Sequence, residues 1–176
     1  DRERVEECLG KIQLSTRHLL ALVNDVLDMG RIETTQEKGR MEAFDLEHLM
    51  TETSSLVEAQ LEETGIRHYR HREGIRHTAL IGNPLHLRQI MVNLLSNAIK
   101  YNKPGGRIDT YAKELSCDGK QAFYEFGITD TGIGMQKEFV KNKLFQPFTQ
   151  EKTDARTQYK GSGLGMSIVK GLIESM

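Results

Sequence analysis

Residues 130–135 have the sequence DTGIGM, and they follow an aromatic-rich run at residues 123–129 that predicts a β-strand. Asp130 stands at the end of this strand, and Gly132 and Gly134 follow it one residue apart. The glycines let the backbone turn tightly and let a flat ligand approach without a Cβ in the way. The Asp130 carboxylate offers acceptor oxygens to a donor such as an exocyclic amine. The pattern indicates one wall of a ligand site, although an acidic turn that only closes a strand has the same sequence.

The length and composition of the chain limit its class. The chain has 176 residues, a formal net charge of −1 and two cysteines, Cys8 and Cys117. This length suits one domain plus an additional element, and the balanced charge argues against a nucleic-acid partner. Two distant cysteines match no metal site and favour a reducing, cytoplasmic compartment. No signal peptide and no apolar run of roughly 18 residues is present, so we expect no membrane contact by this chain, although a longer parent protein could be membrane-anchored.

Residues 1–33 are predicted to form one long helix with an apolar seam. Two rows of side chains recur every seven residues, Val5, Ile12, Leu19 and Val26 in the first and Leu9, Thr16 and Val23 in the second. Such a seam, with further leucines beside it, is typical of a helix bundle. One helix cannot bury this face alone, so we expect a partner helix from a second copy or from a segment absent from this sequence. Packing of the seam back onto the same domain is the alternative.

The middle of the chain alternates short strands and helices. The sequence predicts a polar hinge at residues 34–39, a strand at 41–44, and a helix that Asp45 caps and that ends near Gly65. Residues 66–72 and 78–81 predict two strands about a turn. Four arginines and three histidines lie in and just after the first of these strands. This composition favours a charged, exposed edge strand over a patch for nucleic acid or phosphate.

The next helix, from Pro84 to about Lys100, carries polar side chains on one face. Asn93 and Asn97 are four residues apart and therefore neighbours on that face, with Lys100 three residues further on. Two carboxamides and an ammonium group suit a hydrated magnesium ion and a phosphate chain, because Mg²⁺ keeps most of its waters and takes few protein oxygens. A solvated helix face is the ordinary alternative.

A glycine-rich loop precedes the last predicted helix. After a hairpin at residues 107–116 and 121–130 and a short helix at 137–142, residues 151–160 lack periodicity and predict a loop. The sequence GSGLG at residues 161–165 then runs directly into an apolar helix. A glycine-rich loop at a helix N-terminus can hold an anion, because backbone amides point outward and the helix dipole favours negative charge. A flexible linker before a helix is the alternative.

Four motifs therefore occur in one order along the chain. They are Asn93-x-x-x-Asn97, Asp130-x-Gly132-x-Gly134, Phe145-x-Pro147-Phe148 and Gly161-x-Gly163-x-Gly165. Their order and residues resemble the asparagine box, the first glycine box, the phenylalanine box and the second glycine box of the sensor histidine kinases of two-component systems. Residues 18–28 also resemble the second helix of that family's dimerisation hairpin. The resemblance extends over essentially the whole chain, and four ordered motifs are far more specific than any one of them.

The resemblance implies an α+β fold with two parts. Residues 1–39 would be the second helix of the dimerisation and phosphotransfer hairpin plus a linker. Residues 40–176 would be the catalytic ATP-binding domain, a Bergerat-type α/β sandwich with a mixed sheet and helices on one face, lacking its last strands. The implied cofactors are ATP and Mg²⁺.

The resemblance also assigns roles to single residues. Asp130 would bind the adenine amino group, and Asn97 would ligate Mg²⁺, with Asn93 acting through the water shell of the metal. Lys100 would approach the phosphates, and Tyr101 would pack beside the nucleotide. The remaining candidates form or anchor a lid over the phosphates, with Arg156 as a phosphate contact; they are Phe145, Phe148, Arg156, Gly161, Gly163, Leu164 and Gly165.

The implied reaction is transfer of the γ-phosphoryl group of ATP to a histidine, which depends mainly on positioning and charge neutralisation. Gyrase, mismatch-repair and chaperone ATPases share the fold and resemble one another in having a Glu where this chain has Asn93. A Glu can act as general base for an attacking water and an Asn cannot, so Asn93 disfavours hydrolysis. An ATP-hydrolysing enzyme of the same fold and a non-catalytic helical interaction module with a decayed pocket remain the two alternatives.

The chain departs from the family pattern at both ends. It has no Ser-His-Glu-type box for the phosphoacceptor, and His18 matches the second helix, so we interpret it as an ordinary bundle histidine. The family continues beyond the position of Met176 into a last pair of strands. We therefore predict a fragment that binds ATP but cannot phosphorylate itself. The implied protein partners are a second copy through the N-terminal helix of the parent protein and the receiver domain of a response regulator.

Overall fold

The computed structural model describes residues 41–151 and 162–176, together with ten positions between residues 4 and 23. All ten of these positions are helical, in agreement with the predicted N-terminal helix. The predicted hinge at residues 34–39, His18, Val26 and most of the predicted loop at 151–160 lie outside the described residues. The described seam residues Val5, Leu9, Ile12, Leu19 and Val23 are between 47% and 62% exposed. Within the part of the chain that is described, nothing covers this face.

Five strands and four further helices make up the rest of the described chain. In order they are β1 (Glu42–Asp45), α1 (Leu46–Thr64), β2 (Arg67–Glu73), β3 (Ala79–Gly82), α2 (Pro84–Lys100), β4 (Arg107–Cys117), β5 (Ala122–Asp130), α3 (Lys137–Asn142) and α4 (Gly165–Ser175). Each element that the sequence predicts within these ranges is present, with boundaries that agree within two residues.

The helix boundaries follow from local chemistry. The Asp45 carboxylate accepts a hydrogen bond from the backbone N–H of His48 at 2.8 Å and so caps the first turn of α1. Gly65 ends this helix in the left-handed conformation, with φ of 65°. The side chain of Asn83 caps α2 in the same way as Asp45, and Pro84 begins the helix, where its missing N–H is not needed.

The strands form two separate sheets. β1 pairs antiparallel with β3, while β2, β4 and β5 form a mixed sheet in which β2–β4 is parallel and β4–β5 is antiparallel. The α+β class with a mixed sheet is therefore confirmed. The predicted hairpin is confirmed as β4–β5, in which Ile108 lies opposite Asp130.

The two strands predicted about a turn at Glu73 and Gly74 both exist, but they do not pair with each other. β2 runs beside β4 instead, with Arg67 opposite Arg107, and β3 runs beside β1. A parallel pair requires a long crossover, and here it passes through β3 and α2. Local sequence could locate these strands but could not select their partners.

β2 lies at one edge of the three-stranded sheet, as its charged composition predicts. Its charged side chains have acidic neighbours: Arg72 contacts Glu47 at 2.8 Å, and His71 contacts Asp109 at 3.0 Å. The Arg107 guanidinium, with a smaller contribution from His71, lowers the pKa of Asp109 to about 2. These ion pairs fit a solvated edge strand better than a phosphate-binding patch.

The core lies between the three-stranded sheet and the helices. Ile108 of β4 is fully buried beneath α1 and α2, in a cluster with Val57 and Leu95. A second cluster joins α2 to α4 through residues such as Ile90 and Leu172. α2 therefore packs on the sheet, on α1 and on α4, and this packing fixes the face that carries its two asparagines.

Candidate functional site

The first glycine motif lies against the C-terminal end of α2. Oδ1 of Asp130 accepts a hydrogen bond from the backbone N–H of Gly132 at 2.8 Å, and this bond orients the carboxylate at the end of β5. The backbone N–H of Ile133 donates to the carbonyl oxygen of Tyr101 at 3.1 Å. A Cβ at Gly132 would lie only 2.3 Å from the same carbonyl oxygen. The close approach between this turn and α2 therefore requires a glycine at position 132.

The N-terminus of α4 faces the two asparagines of α2. A Cβ at Gly165 would lie 3.7 Å from Nδ2 of Asn97 and 4.0 Å from Oδ1 of Asn93. Both asparagines are partly buried, and no side chain among the described residues makes a capping hydrogen bond at the start of α4, which begins at Gly165. Since the first amides of a helix have no partner within that helix, the asparagines and the start of α4 form one polar surface that suits an anion with a bound cation.

The second glycine motif contacts the phenylalanine motif. Gly163 has a φ of 73°, and a Cβ there would lie 2.9 Å from both the carbonyl carbon of Phe148 and the backbone nitrogen of Thr149. Phe148 itself has a positive φ of 58° and is 68% exposed, while Phe145 is 44% exposed. The two ends of the predicted lid are therefore in direct contact.

Lys100 and Tyr101 end α2 next to the first glycine motif. Nζ of Lys100 lies 5.0 Å from the centroid of the Tyr101 ring, a cation–π distance. The backbone N–H of Tyr101 donates to the carbonyl oxygen of Asn97 at 3.0 Å. The backbone of Tyr101 therefore connects the last turn of α2 to the Asp130 turn, through Asn97 on one side and Ile133 on the other.

Two predicted site residues, Arg156 and Gly161, lie outside the described residues. The side chain of Leu164 is fully buried in the cluster between α2 and α4, so only its backbone borders the polar surface. Sequence reasoning missed Asn102, which is 6% exposed and hydrogen-bonded to Thr131 at the Asp130 turn. The available signal was a polar residue between an apolar helix and a Pro-Gly-Gly turn.

Asn93 and Asn97 offer carboxamide oxygens as candidate metal ligands at this site. In the described ranges, no group of three His, Cys, Asp or Glu side chains is placed to hold a metal ion. A cation between Asn93 and Asn97 would therefore depend on few protein oxygens, which is the coordination that Mg²⁺ accepts.

None of the described helices is long and apolar enough to cross a bilayer.

Comparison with known families decides the class of this site. The profile of the family described as histidine kinase-, DNA gyrase B-, and HSP90-like ATPase matches residues 82–176, which is more than half of the chain. The chain belongs to this ATPase family. The matched range contains all four motifs and every candidate site residue, so this ATPase domain includes the complete polar surface described above.

The chain has curated relatives that are named as a histidine kinase and as a sensory/regulatory protein. It is 36% identical over 174 residues to the circadian input-output histidine kinase CikA of Synechococcus elongatus, covering 98% of this chain and 22% of that protein. It is 30% identical to the sensory/regulatory protein RpfC of Xanthomonas campestris, covering 97% of this chain and 23% of that protein. The chain thus spans between a fifth and a quarter of the length of these relatives.

Solved structures agree with this assignment. Full-length ShkA in complex with AMPPNP matches with a TM-score of 0.74 and 27% identity, over 97% of this chain and 34% of that chain. The catalytic domain of the histidine kinase ThkA matches with a TM-score of 0.62 and 24% identity, over 77% of this chain and 81% of that chain, which supports the fold alone. The ATPase domain described here is therefore a histidine kinase-type catalytic domain, as the four motifs predict.

Proposed function

We propose that this chain is the ATP-binding catalytic region of a sensor histidine kinase and that it transfers the γ-phosphoryl group of ATP to a histidine on a dimerisation helix. The observation that carries the proposal is the convergence of the four motifs: the Asp130 turn lies against the end of α2, and Gly165 lies beside Asn93 and Asn97. The relative CikA, which is named as a histidine kinase, supports this reaction over other activities of the same ATPase family.

In this proposal the adenine base lies against the turn of the first glycine motif. The Asp130 carboxylate accepts a hydrogen bond from the exocyclic amine, while its Oδ1 remains bonded to the Gly132 amide. Gly134 has a φ of 65° and open space around its Cβ position, so the backbone there presents no side chain to a flat ring. Tyr101 packs beside the nucleotide.

The polar surface between α2 and α4 would hold the phosphates and Mg²⁺. Asn97 would hold the metal, and Asn93 would act through a water ligand. The metal would neutralise charge on the phosphates during transfer. Lys100 and the amides at the start of α4 would add positive potential, and residues 161–165 with Arg156 would cover the phosphates, with Phe145 and Phe148 holding the near end of this lid.

The side chain at position 93 favours transfer over hydrolysis. A carboxamide does not take a proton from water, so Asn93 cannot activate a water molecule as a Glu can. Transfer of the γ-phosphoryl group therefore requires a protein nucleophile. In the parent protein, we expect the N-terminal helix to pair with a second copy and a response regulator receiver domain to accept the phosphoryl group next.

Phosphotransfer in trans tests the proposal. The chain is mixed with a separately produced hairpin that carries the acceptor histidine of the parent protein and with ATP labelled at the γ position. We expect acid-labile, base-stable label on the hairpin, and loss of that label with Asn97→Ala. Release of inorganic phosphate without label on the hairpin would instead support the hydrolysing alternative.

An Asn93→Glu variant provides the complementary control. If Asn93 withholds a general base, a carboxylate at this position should raise phosphate release by about 10-fold or more, since positioned general bases typically contribute 100-fold to 10,000-fold. Unchanged phosphate release in a variant that still binds ATP would remove Asn93 as the reason for preferring transfer.

A further inference from the structure

The side chain of Asn102 is buried and forms hydrogen bonds through both its nitrogen and its oxygen. It is 6% exposed, and its Nδ2 donates to the carbonyl oxygen of Arg107 at 3.1 Å. Its Oδ1 accepts from the backbone N–H of Lys103 at 3.0 Å and from the hydroxyl of Thr131 at 3.1 Å. A Cβ at Gly106 would lie 2.3 Å from this Oδ1, so the turn closes tightly around the carboxamide. These bonds together hold the carboxamide in one orientation, because a buried polar group that turns away from its partners loses hydrogen bonds that water does not replace.

Thr131 completes the network from the other side. Its hydroxyl oxygen accepts from the backbone N–H of Arg107 at 2.9 Å while it donates to Asn102, and its backbone N–H donates to the carbonyl oxygen of Arg107 at 3.1 Å. We call Asn102, Thr131 and the Arg107 backbone the latch. Thr131 lies between Asp130 and Gly132, so the latch acts on the centre of the first glycine motif.

The latch joins the end of α2 to the turn that carries Asp130. The backbone of Tyr101, immediately before Asn102, forms hydrogen bonds on both sides. Its N–H donates to the carbonyl oxygen of Asn97 at 3.0 Å, and its carbonyl oxygen accepts from the backbone N–H of Ile133 at 3.1 Å. Movement of the turn away from α2 would break the latch bonds together with this link. The latch therefore fixes the distance between the helix that carries Asn97 and the strand end that carries Asp130.

We propose that the latch sets the position of the Asp130 carboxylate relative to Asn97, which makes Asn102 and Thr131 positioning residues for recognition of the nucleotide base. The identity of the ligand in this inference rests on the proposed function. The hydrogen-bonded link between the Asp130 turn and the end of α2 is present in the protein without a ligand. Neither side chain touches the base in this account. They act by holding one wall of the site against the other.

The test compares Thr131→Val, which removes the hydroxyl at nearly constant volume, with Thr131→Ser, which keeps it. Thr131 is exposed, so both variants should fold. Two probes are titrated with Mg²⁺: a non-hydrolysable ATP analogue, and purine riboside triphosphate, which lacks the exocyclic amine. We expect Thr131→Val to lower the affinity for the ATP analogue about 5-fold, the equivalent of one ordinary hydrogen bond. The affinity for the amine-free probe should fall less than about 2-fold. Thr131→Ser should bind both probes as the unchanged chain does.

A matched control separates positioning from general stability. Glu114→Gln alters a hydrogen-bonded carboxylate towards the other end of the same hairpin, and it should lower stability without changing the ratio of the two affinities. An equal loss of affinity for both probes in Thr131→Val, or an unchanged affinity for the ATP analogue, would show that the latch does not determine base recognition.

Amide hydrogen exchange in the free protein tests the link itself. The Ile133 amide, which donates to Tyr101, should exchange at least about 5-fold faster in Thr131→Val and at an unchanged rate in Thr131→Ser. Unchanged protection in Thr131→Val would overturn the latch. If the unchanged chain binds neither probe, the proposed function fails together with the role in base recognition, and exchange at Ile133 still decides whether the latch holds the turn.

Discussion

Gly132 and Gly134 differ in what they require of the backbone, although they belong to one motif. A Cβ at Gly132 would meet the carbonyl oxygen of Tyr101 at 2.3 Å and Oδ1 of Asp130 at 2.7 Å. Gly134 has open space around it but a φ of 65°. The first position is limited by close packing between two segments, and the second by the conformation of its own backbone.

This difference predicts unequal effects for two alanine variants. Gly132→Ala should lower the free energy of unfolding by about 2–3 kcal/mol, because a backbone carbonyl has to move, and should abolish nucleotide binding. Gly134→Ala should lower the free energy of unfolding by about 1 kcal/mol, the penalty for an alanine in the left-handed conformation, and should retain measurable nucleotide binding. Urea unfolding and nucleotide titration of both variants measure the difference. Equal stability losses would show that the Tyr101 contact is not the constraint.

At the residue scale, the sequence predicts candidate site residues through motifs that occur in a specific order. Asp130, Asn93 and Asn97 could be selected because they belong to four ordered motifs that resemble those of one family, whereas each motif alone has an ordinary structural alternative. Asn102 could not, because its role depends on Thr131, which lies 29 residues away in sequence. The buried side chain of Leu164 was equally invisible, since a leucine between two glycines gives no sign of the cluster that surrounds it.

The connection between β2 and β3 is held by one carboxylate of β4. Glu114 accepts hydrogen bonds from the backbone N–H of Arg76 at 2.6 Å, from the backbone N–H of His77 at 3.0 Å and from Nδ1 of His77 at 2.8 Å. These donors, with the Arg76 amide contributing most, lower the pKa of Glu114 from 4.5 to about 2. Tyr124 also donates its hydroxyl to the carbonyl oxygen of His77, which ties β5 to the same loop.

The lowered pKa of Glu114 predicts a stability effect that depends on pH. Because the carboxyl group binds a proton less readily in the folded state, its contribution is complete above the ordinary pKa of 4.5 and is lost as the pH falls towards about 2. Glu114→Gln should therefore be less stable than the unchanged chain at pH 7, and the difference should shrink between pH 5 and about pH 2. Thermal unfolding over this pH range measures it, and a difference that does not vary with pH would contradict the assignment.

The elements and the β4–β5 hairpin were predicted correctly, whereas the partners of β2 and β3 were not, for a physical reason. Caps such as Asp45, Gly65 and Pro84 act within one turn, so the sequence shows them directly. Strand pairing is decided by burial against distant segments, and β2 pairs with β4 only after the chain has passed through β3 and α2. The basic composition of β2 indicated an edge position correctly but contained no information about its neighbour.

On the scale of the whole molecule, the N-terminal helix presents an apolar face with no cover in the described part of the chain. Ile12 and Leu19 are 61% and 62% exposed. Their recurrence at seven residues is typical of a helix that packs against a partner helix. A second copy is the partner we expect.

Polar substitution of this face tests the expected self-association. The double variant Ile12→Lys and Leu19→Lys should sediment as a monomer under conditions in which the unchanged chain sediments as a dimer. Gly10→Lys adds the same type of charge at an exposed position off the seam, where a Cβ meets nothing within 4 Å, and should leave the dimer intact. An unchanged sedimentation mass in the double variant would contradict pairing through this seam.

Calorimetric titration tests whether the four motifs form one ATP site. A non-hydrolysable ATP analogue is titrated with and without Mg²⁺ into the unchanged chain, into Asp130→Asn and into Asp118→Asn, which alters a carboxylate at the tip of the β4–β5 hairpin. We predict Mg²⁺-dependent binding that falls by about 10-fold or more in Asp130→Asn, as expected for a hydrogen bond to a charged group, and that is retained in Asp118→Asn. No binding by the unchanged chain, or equal binding by Asp130→Asn, would contradict the account.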